Sequence, residues 1–197
     1  MSFEENEFDR ISAFFIGPKG ANLPDFRANI NTILDELLET RLDYMPKDTK
    51  FISKTVRRSK KFREVRDMVG NVVRTTAQVL GAHSVPFWTP RYEGHMCADL
   101  TMASLLGYFM TMLYNPNNVA LEASPLTTVA EYQVGQQLCD LFRYNTDPEK
   151  QDLPLAWGHI TCDGTIANLE SIWVARYLKF YTLALQWAIN EGTLQFI

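Results

Sequence analysis

Trp157-Gly-His-Ile-Thr-Cys-Asp-Gly-Thr-Ile-Ala-Asn168 runs directly into Leu169-Glu-Ser-Ile-Trp-Val-Ala-Arg-Tyr-Leu-Lys-Phe180. Trp157 to Thr161 is short and largely apolar and reads as a buried strand. Asp163-Gly164-Thr165 makes a tight polar turn, and beyond it Ile166, Leu169, Ile172, Trp173 and Leu178 recur at helical spacing. A strand, a small polar turn and a helix N-terminus together form an anion-binding geometry. The first backbone N–H groups of the helix lack partners, its dipole favours negative charge, and Gly164 lets a ligand approach the backbone. The stretch therefore predicts an α/β unit with a phosphate-binding turn, or, on the plainer reading, an ordinary strand-to-helix turn that Asp163 caps. Neither GxGxxG nor GxxxxGK[ST] occurs in the chain.

Upstream of this unit the patterning is helical. Phe26, Ile30, Ile33, Leu34, Leu37, Leu38 and Leu42 form an apolar stripe over 24–44, stopped by Pro46. Phe62, Val65, Met68, Val69, Val72 and Val73 repeat the pattern over 60–80. Prolines and aromatics without periodicity mark 84–99 as an ordered loop, and 101–114 reads as a strongly apolar helix. Ser124-Pro125 starts another helix, with serine as N-cap and proline in the first turn. It is expected to run to about Tyr144, and 145–154 to be a polar linker.

Composition narrows the function classes. With 197 residues, 46% apolar and 12% aromatic, the chain can bury one sizeable core. A formal charge of −4 argues against a general polyanion binder. The basic run Lys54, Arg57, Arg58, Lys60, Lys61, Arg63 and Arg66 is interrupted by Glu64 and Asp67, and reads as a solvated helix face rather than a nucleic-acid surface. Cys97, Cys139 and Cys162 are scattered, odd in number and without a CxxC, which suggests neither a metal knuckle nor a disulfide framework. The acidic start of the chain lacks an apolar core, and no apolar run nears the roughly 20 residues of a membrane span. The expectation is a cytoplasmic protein that binds neither membrane nor nucleic acid.

Several residues admit two readings. His95, among Arg91, Tyr92 and Glu93, is either a surface histidine or a functional one. His159 shares a strand face with Trp157. We take it as a core residue, with stacking on a cofactor as the alternative. Asn168 either supports the turn or bonds a neighbouring carbonyl. Met96, Met102, Met110 and Met112 read as core or subunit interface.

The turn resembles the phosphate-cradling loop of the group II pyridoxal-phosphate (PLP) amino-acid decarboxylases, a small-residue G-T/S-x-A-N-L run. Further motifs follow the same family in order: Phe15-Ile-Gly17, Tyr44-Met-Pro-Lys-Asp48, Ser84-Val-Pro-Phe-Trp-Thr-Pro-Arg-Tyr-Glu-Gly-His-Met96, Leu113-Tyr-Asn-Pro-Asn-Asn-Val-Ala120, and Glu122-Ala-Ser-Pro125 with Thr127 and Glu131. The first two resemble the bacterial tyrosine-decarboxylase branch. Cys162-Asp163 replaces the small Ser/Gly pair common in the wider family and agrees better with the tyrosine-decarboxylase branch, where an aspartate precedes the glycine.

The resemblance implies the N-terminal part of a fold-type I PLP enzyme, an α/β fold that begins mostly helical and enters the large domain through its first βα unit. It implies a helical N-terminal segment over 1–83, a substrate-side loop and interface helix over 84–126, and the start of the PLP-binding large domain over 127–197. By the same resemblance Tyr92, His95, Ser124 and Pro125 are substrate-side residues, and Gly164, Thr165 and Asn168 hold the phosphate of pyridoxal 5'-phosphate. The implied reaction is decarboxylation of an aromatic L-amino acid such as tyrosine. None of His83, His95 and His159 is followed by lysine, so the Schiff-base lysine has no matching position. No catalytic residue is therefore assigned, PLP binding is expected to be weak, and the chain is expected to be a truncated form inactive alone. The alternative is a non-catalytic dimerisation or regulatory piece pairing with a full-length relative. Either way the chain is expected to associate, with itself or with such a relative.

Overall fold

A computed structural model of the chain describes residues 2–150 and 152–194. Gln151, within the expected linker, and residues 195–197, at the end of the expected large-domain start, lie outside it, as does Met1. The chain divides into two units, Met1–Asn115 and Pro116–Ile197.

The first unit contains α1 (Ser2–Ser12), α2 (Leu23–Asp43), α3 (Lys54–Arg58), α4 (Lys60–His83) and α5 (Met102–Tyr114). Between α1 and α2 the chain turns through Gly17 and Gly20, at φ +84° and +73°, a region where a side chain is strained. Asn22 does not cap α2. Its amide instead donates to the carbonyls of Ser12 and Phe15, locking the turn. Ser53 and Ser59 cap α3 and α4 by accepting from Val56 N–H and Phe62 N–H. Thr101 caps α5 through Ser104 N–H, and the serine hydroxyl returns a bond to the Thr101 carbonyl. Asn115, at φ 47°, ends α5 in the left-handed conformation. α2 and α5 lie side by side, and Met102 N–H donates to the Phe14 carbonyl at 2.6 Å.

In the second unit, α6 (Pro125–Leu141) is followed by a loop, then α7 (Gly164–Arg176), a π-helical turn (Tyr177–Tyr181) and α8 (Thr182–Asn190). α6 stops short of Tyr144 because Arg143 takes φ 62°. The described residues of the expected linker form an ordered loop built on Asn145. Its amide donates to the carbonyls of Lys150 and Leu153, and its own carbonyl accepts from Ala156 N–H. Through the π turn the aromatics stack at helical spacing, Trp173 edge-on to Tyr177 at 5.4 Å and Tyr177 over Tyr181 at 5.6 Å.

The strand expected over 157–161 does not form, and no β-strand occurs among the described residues. A strand exists by its ladder of hydrogen bonds to a neighbour, and no such ladder forms here. The segment is anchored differently, by two glycines meeting face to face. A Cβ on Gly135 of α6 would fall 1.9 Å from the Gly158 carbonyl oxygen. One on Gly158 would meet the Gly135 oxygen at 2.9 Å and Cys139 Sγ at 3.0 Å. This contact holds the 157–161 backbone directly on α6.

Neither unit encloses the expected core. Among the described residues only Ser124, Gly135 and Cys139 are buried. The total accessible surface is 17987 Å², whereas even two separate compact bodies of this combined mass would expose roughly 11,000 Å². The whole apolar stripe of α4, from Val65 to Leu80, is exposed, because α3 is the only helix packed against it among the described residues. No helix among the described residues is long and apolar enough to cross a membrane.

Candidate functional site

The residues singled out in the sequence fall in both units. In the first, Tyr92 and His95 come together in the 84–99 loop. The Tyr92 ring packs edge-on against Phe87 at 5.0 Å, and its hydroxyl accepts from His95 N–H at 2.9 Å. Gly94 makes this possible: a Cβ there would lie 2.6–2.9 Å from the Tyr92 ring and hydroxyl. The loop thus fixes the His95 backbone while its side chain remains exposed. Beside it, a cavity of about 520 Å³ is lined by Phe87, Trp88, Met96, Cys97 and Leu105, among others.

In the second unit Ser124 occupies the N-cap position of α6 but its side chain makes no cap bond. The expected serine cap is replaced by a side-chain relay. The Ser124 hydroxyl pairs with Thr127 Oγ1, which donates to Asn118 Oδ1, and Asn118 Nδ2 donates to Glu131 at 2.7 Å. This relay joins the residues of the 113–131 motifs and holds Glu131 in the wall of a cavity of about 450 Å³. Leu121, Val129, Tyr132 and Trp157 supply its apolar walls, and Thr128, Glu131 and His159 its polar ones. Tyr132 and Trp157 meet at 5.9 Å. Thr128 Oγ1 is buried and has no hydrogen-bond partner among the described residues, a cost unless a further group reaches it.

His159 is not the core residue the strand reading made it. It is exposed, and its Nε2 sits 2.6 Å from Glu170 Oε2 on α7. Without a sheet to bury it, the ring lies in the open between segment 157–161 and α7. Sequence reasoning missed Glu170, Thr128 and Tyr132. Only the spacing of Thr128, Glu131 and Tyr132, which puts them on one face of α6, could have flagged the last two.

Asp163, Gly164 and Thr165 form the turn into α7. Asp163 is the N-cap: its Oδ1 accepts from Ile166 N–H at 2.8 Å, and Thr161 Oγ1 donates to the Asp163 carbonyl at 2.7 Å. The capping role foreseen as the plainer alternative is therefore present. Gly164, Thr165 and Asn168 are exposed on the first turns of α7, and none lines the cavity beside Trp157.

No family model matches the chain. Curated relatives do. The chain is 39% identical over 182 residues to the L-tyrosine decarboxylase of Enterococcus faecium, across 92% of this chain and 28% of that protein. It is 37% identical over 177 residues to the L-tyrosine decarboxylase of Enterococcus faecalis, and 35% identical over 177 residues to that of Levilactobacillus brevis. The similarity is to tyrosine decarboxylases, over nine-tenths of this chain. The chain spans a little over a quarter of the length of these relatives.

The turn has room for an anion, since a Cβ on Gly164 would meet nothing within 4 Å. Asp163 takes the third amide of the helix as its cap and leaves the Gly164 and Thr165 amides open.

Proposed function

We propose that this chain is the front portion of an aromatic amino-acid decarboxylase of the PLP-dependent kind, with tyrosine or a close analogue as substrate class. The similarity to three L-tyrosine decarboxylases over about nine-tenths of the chain carries this reading. In it, residues 84–126 shape the substrate side, and the Tyr92 hydroxyl fixes the backbone from which His95 reaches the substrate. The relay from Ser124 to Glu131 stiffens the segment that follows. The cofactor, when bound to such an enzyme, acts as the electron sink for loss of CO₂. None of the eight lysines of this chain follows a histidine.

A second reading, a non-catalytic piece that associates with a full-length relative, is favoured by one observation. The apolar faces of α4, α7 and α8 are exposed: Val72, Ile172 and Leu183 are 58%, 67% and 61% accessible. A chimera separates the two. This chain replaces the matched segment of the Enterococcus faecium enzyme, and tyrosine decarboxylation is followed. Activity in the chimera, abolished by His95→Ala, supports the enzymatic reading. A folded chimera that is inactive refutes it and leaves the association reading.

A further inference from the structure

The cavity beside Trp157 carries a carboxylate with no counter-ion among the described residues. Glu131 is the one acidic residue lining it, and His159, the basic candidate on the same wall, has its Nε2 on Glu170. The ion pairs of the described residues are Lys60–Glu64, Arg66–Asp67 and His159–Glu170, and none includes Glu131. Its carboxylate is nonetheless held in place. Asn118 Nδ2 donates to Oε2 at 2.7 Å, and Asn118 is itself fixed through Thr127 and Ser124. One amide donor leaves most of the acceptor capacity of a carboxylate open. Thr128, Glu131 and Tyr132 stand three and four residues apart, so α6 presents them to the cavity together. Thr128 Oγ1 is buried there without a partner among the described residues. The Tyr132 and Trp157 rings meet at 5.9 Å, yet they remain 52% and 71% accessible, so each keeps a free face. The space these groups surround is about 450 Å³, within the roughly 300–1,000 Å³ of small-molecule sites.

We infer that this cavity is a binding site for a small aromatic amine in its ammonium form. The ring of the amine packs on Trp157 and Tyr132, the ammonium pairs with Glu131, and a further N–H reaches Thr128 Oγ1. Opposite charge draws the cation in, and the free aromatic faces add to the attraction. A neutral aromatic ligand would cover the carboxylate without pairing it, at a cost. An α-amino acid would bring a second carboxylate beside Glu131, and that repulsion offsets what its amino group gains. The site therefore selects an amine over the corresponding amino acid. The inference stands on the geometry of the second unit and does not depend on the decarboxylase reading.

The test uses the 197-residue chain and three probes that share one ring: 2-phenylethylamine, phenylalanine and 2-phenylethanol. Affinities are read by ligand-observed NMR titration at neutral pH, where the amine is cationic. Trp157 fluorescence, with Trp88, Trp173 and Trp187 replaced by phenylalanine, locates the site. The amine is expected to bind about tenfold or more tightly than either other probe. Glu131→Gln keeps an oxygen for Asn118 and removes the charge, and should erase that preference while circular dichroism shows the helices intact. Thr128→Val should weaken the amine about twofold to tenfold. Glu149→Gln, at a carboxylate outside the cavity, should change nothing. Equal binding of amine and alcohol overturns the inference, as does an amine preference that survives Glu131→Gln, or an amine that leaves Trp157 emission unmoved. Should Glu131→Gln fail to fold, the ranking of the three probes on the parent chain and the Thr128→Val result decide. The decarboxylase reading is decided separately, by the chimera.

Discussion

Gly135→Ala should destabilise the second unit, although the usual expectation for glycine inside a helix is the reverse. Gly135 lies in the middle of α6, where alanine is ordinarily favoured by about 1 kcal/mol through backbone entropy. Here the new Cβ would lie 1.9 Å from the Gly158 carbonyl oxygen and 2.9 Å from its carbon, both backbone atoms that cannot rotate aside. Relief requires the 157–161 segment to withdraw by more than about 1 Å, at the upper end of the roughly 1–3 kcal/mol typical of overpacking. After subtracting the helix gain, a net loss of about 1–2 kcal/mol remains. Gly158→Ala meets Gly135 O at 2.9 Å and Cys139 Sγ at 3.0 Å, so its cost should be smaller. Gly70, Gly81 and Gly107 have nothing within 4 Å and serve as controls, where alanine should stabilise by about 0.5–1 kcal/mol. Urea denaturation followed by circular dichroism gives the midpoints. Fluorescence of Trp157, with the other three tryptophans replaced by phenylalanine, reports whether the segment leaves Tyr132. Gly135→Ala unfolding at or above the parent midpoint, with Trp157 emission unchanged, would refute the glycine–glycine anchor.

Other outcomes follow from the same contacts. Asp163→Ala removes the α7 cap and should cost about 0.5–2 kcal/mol in urea, while Asp163→Ser should retain most of it. Tyr92→Phe loses the hydroxyl that accepts from His95 N–H and should cost about 0.5–1.5 kcal/mol, whereas His95→Ala should stay within about 0.5 kcal/mol of the parent. Glu170→Gln should change stability by less than about 1 kcal/mol, because the His159–Glu170 pair is 42% and 40% exposed; a larger loss would mean the pair is shielded. The exposed apolar faces should make the isolated chain bind ANS and self-associate. A compact monomer by sedimentation, with no dye signal and a sharp melt, would contradict that exposure.

Helices were legible in the sequence because each is decided locally. Stripes such as Phe26–Leu42 and Phe62–Val73 have a 3.6-residue period, and Ser59, Thr101 and Asp163 announce their starts with side chains that reach the third following amide. One local signal misled. Ser124 before Pro125 looks like a cap, yet its hydroxyl is drawn into the Thr127–Asn118–Glu131 relay. The strand was not decidable in this way, because pairing is a property of two segments and the pattern of one cannot supply it.

The same distinction governs the candidate site. Tyr92 and His95 are three residues apart, and their contact needs only Gly94 between them. The cavity beside Trp157 joins residues from α6 with a segment beyond the Asn145 loop, and it depends on Gly135 and Gly158 having no side chains. Read singly, those glycines look like a weak point in a helix and the end of a strand. Their meaning appears only when the two backbones touch. His159 shows the consequence. It lines one cavity with Trp157, as does Gly158 between them, so no strand alternation is present, and the burial inferred from it required a sheet. With no sheet to cover it, the imidazole takes the nearest carboxylate, Glu170, as its partner. A residue expected to contribute packing is therefore held as a polar group on an open face, its orientation set by α7.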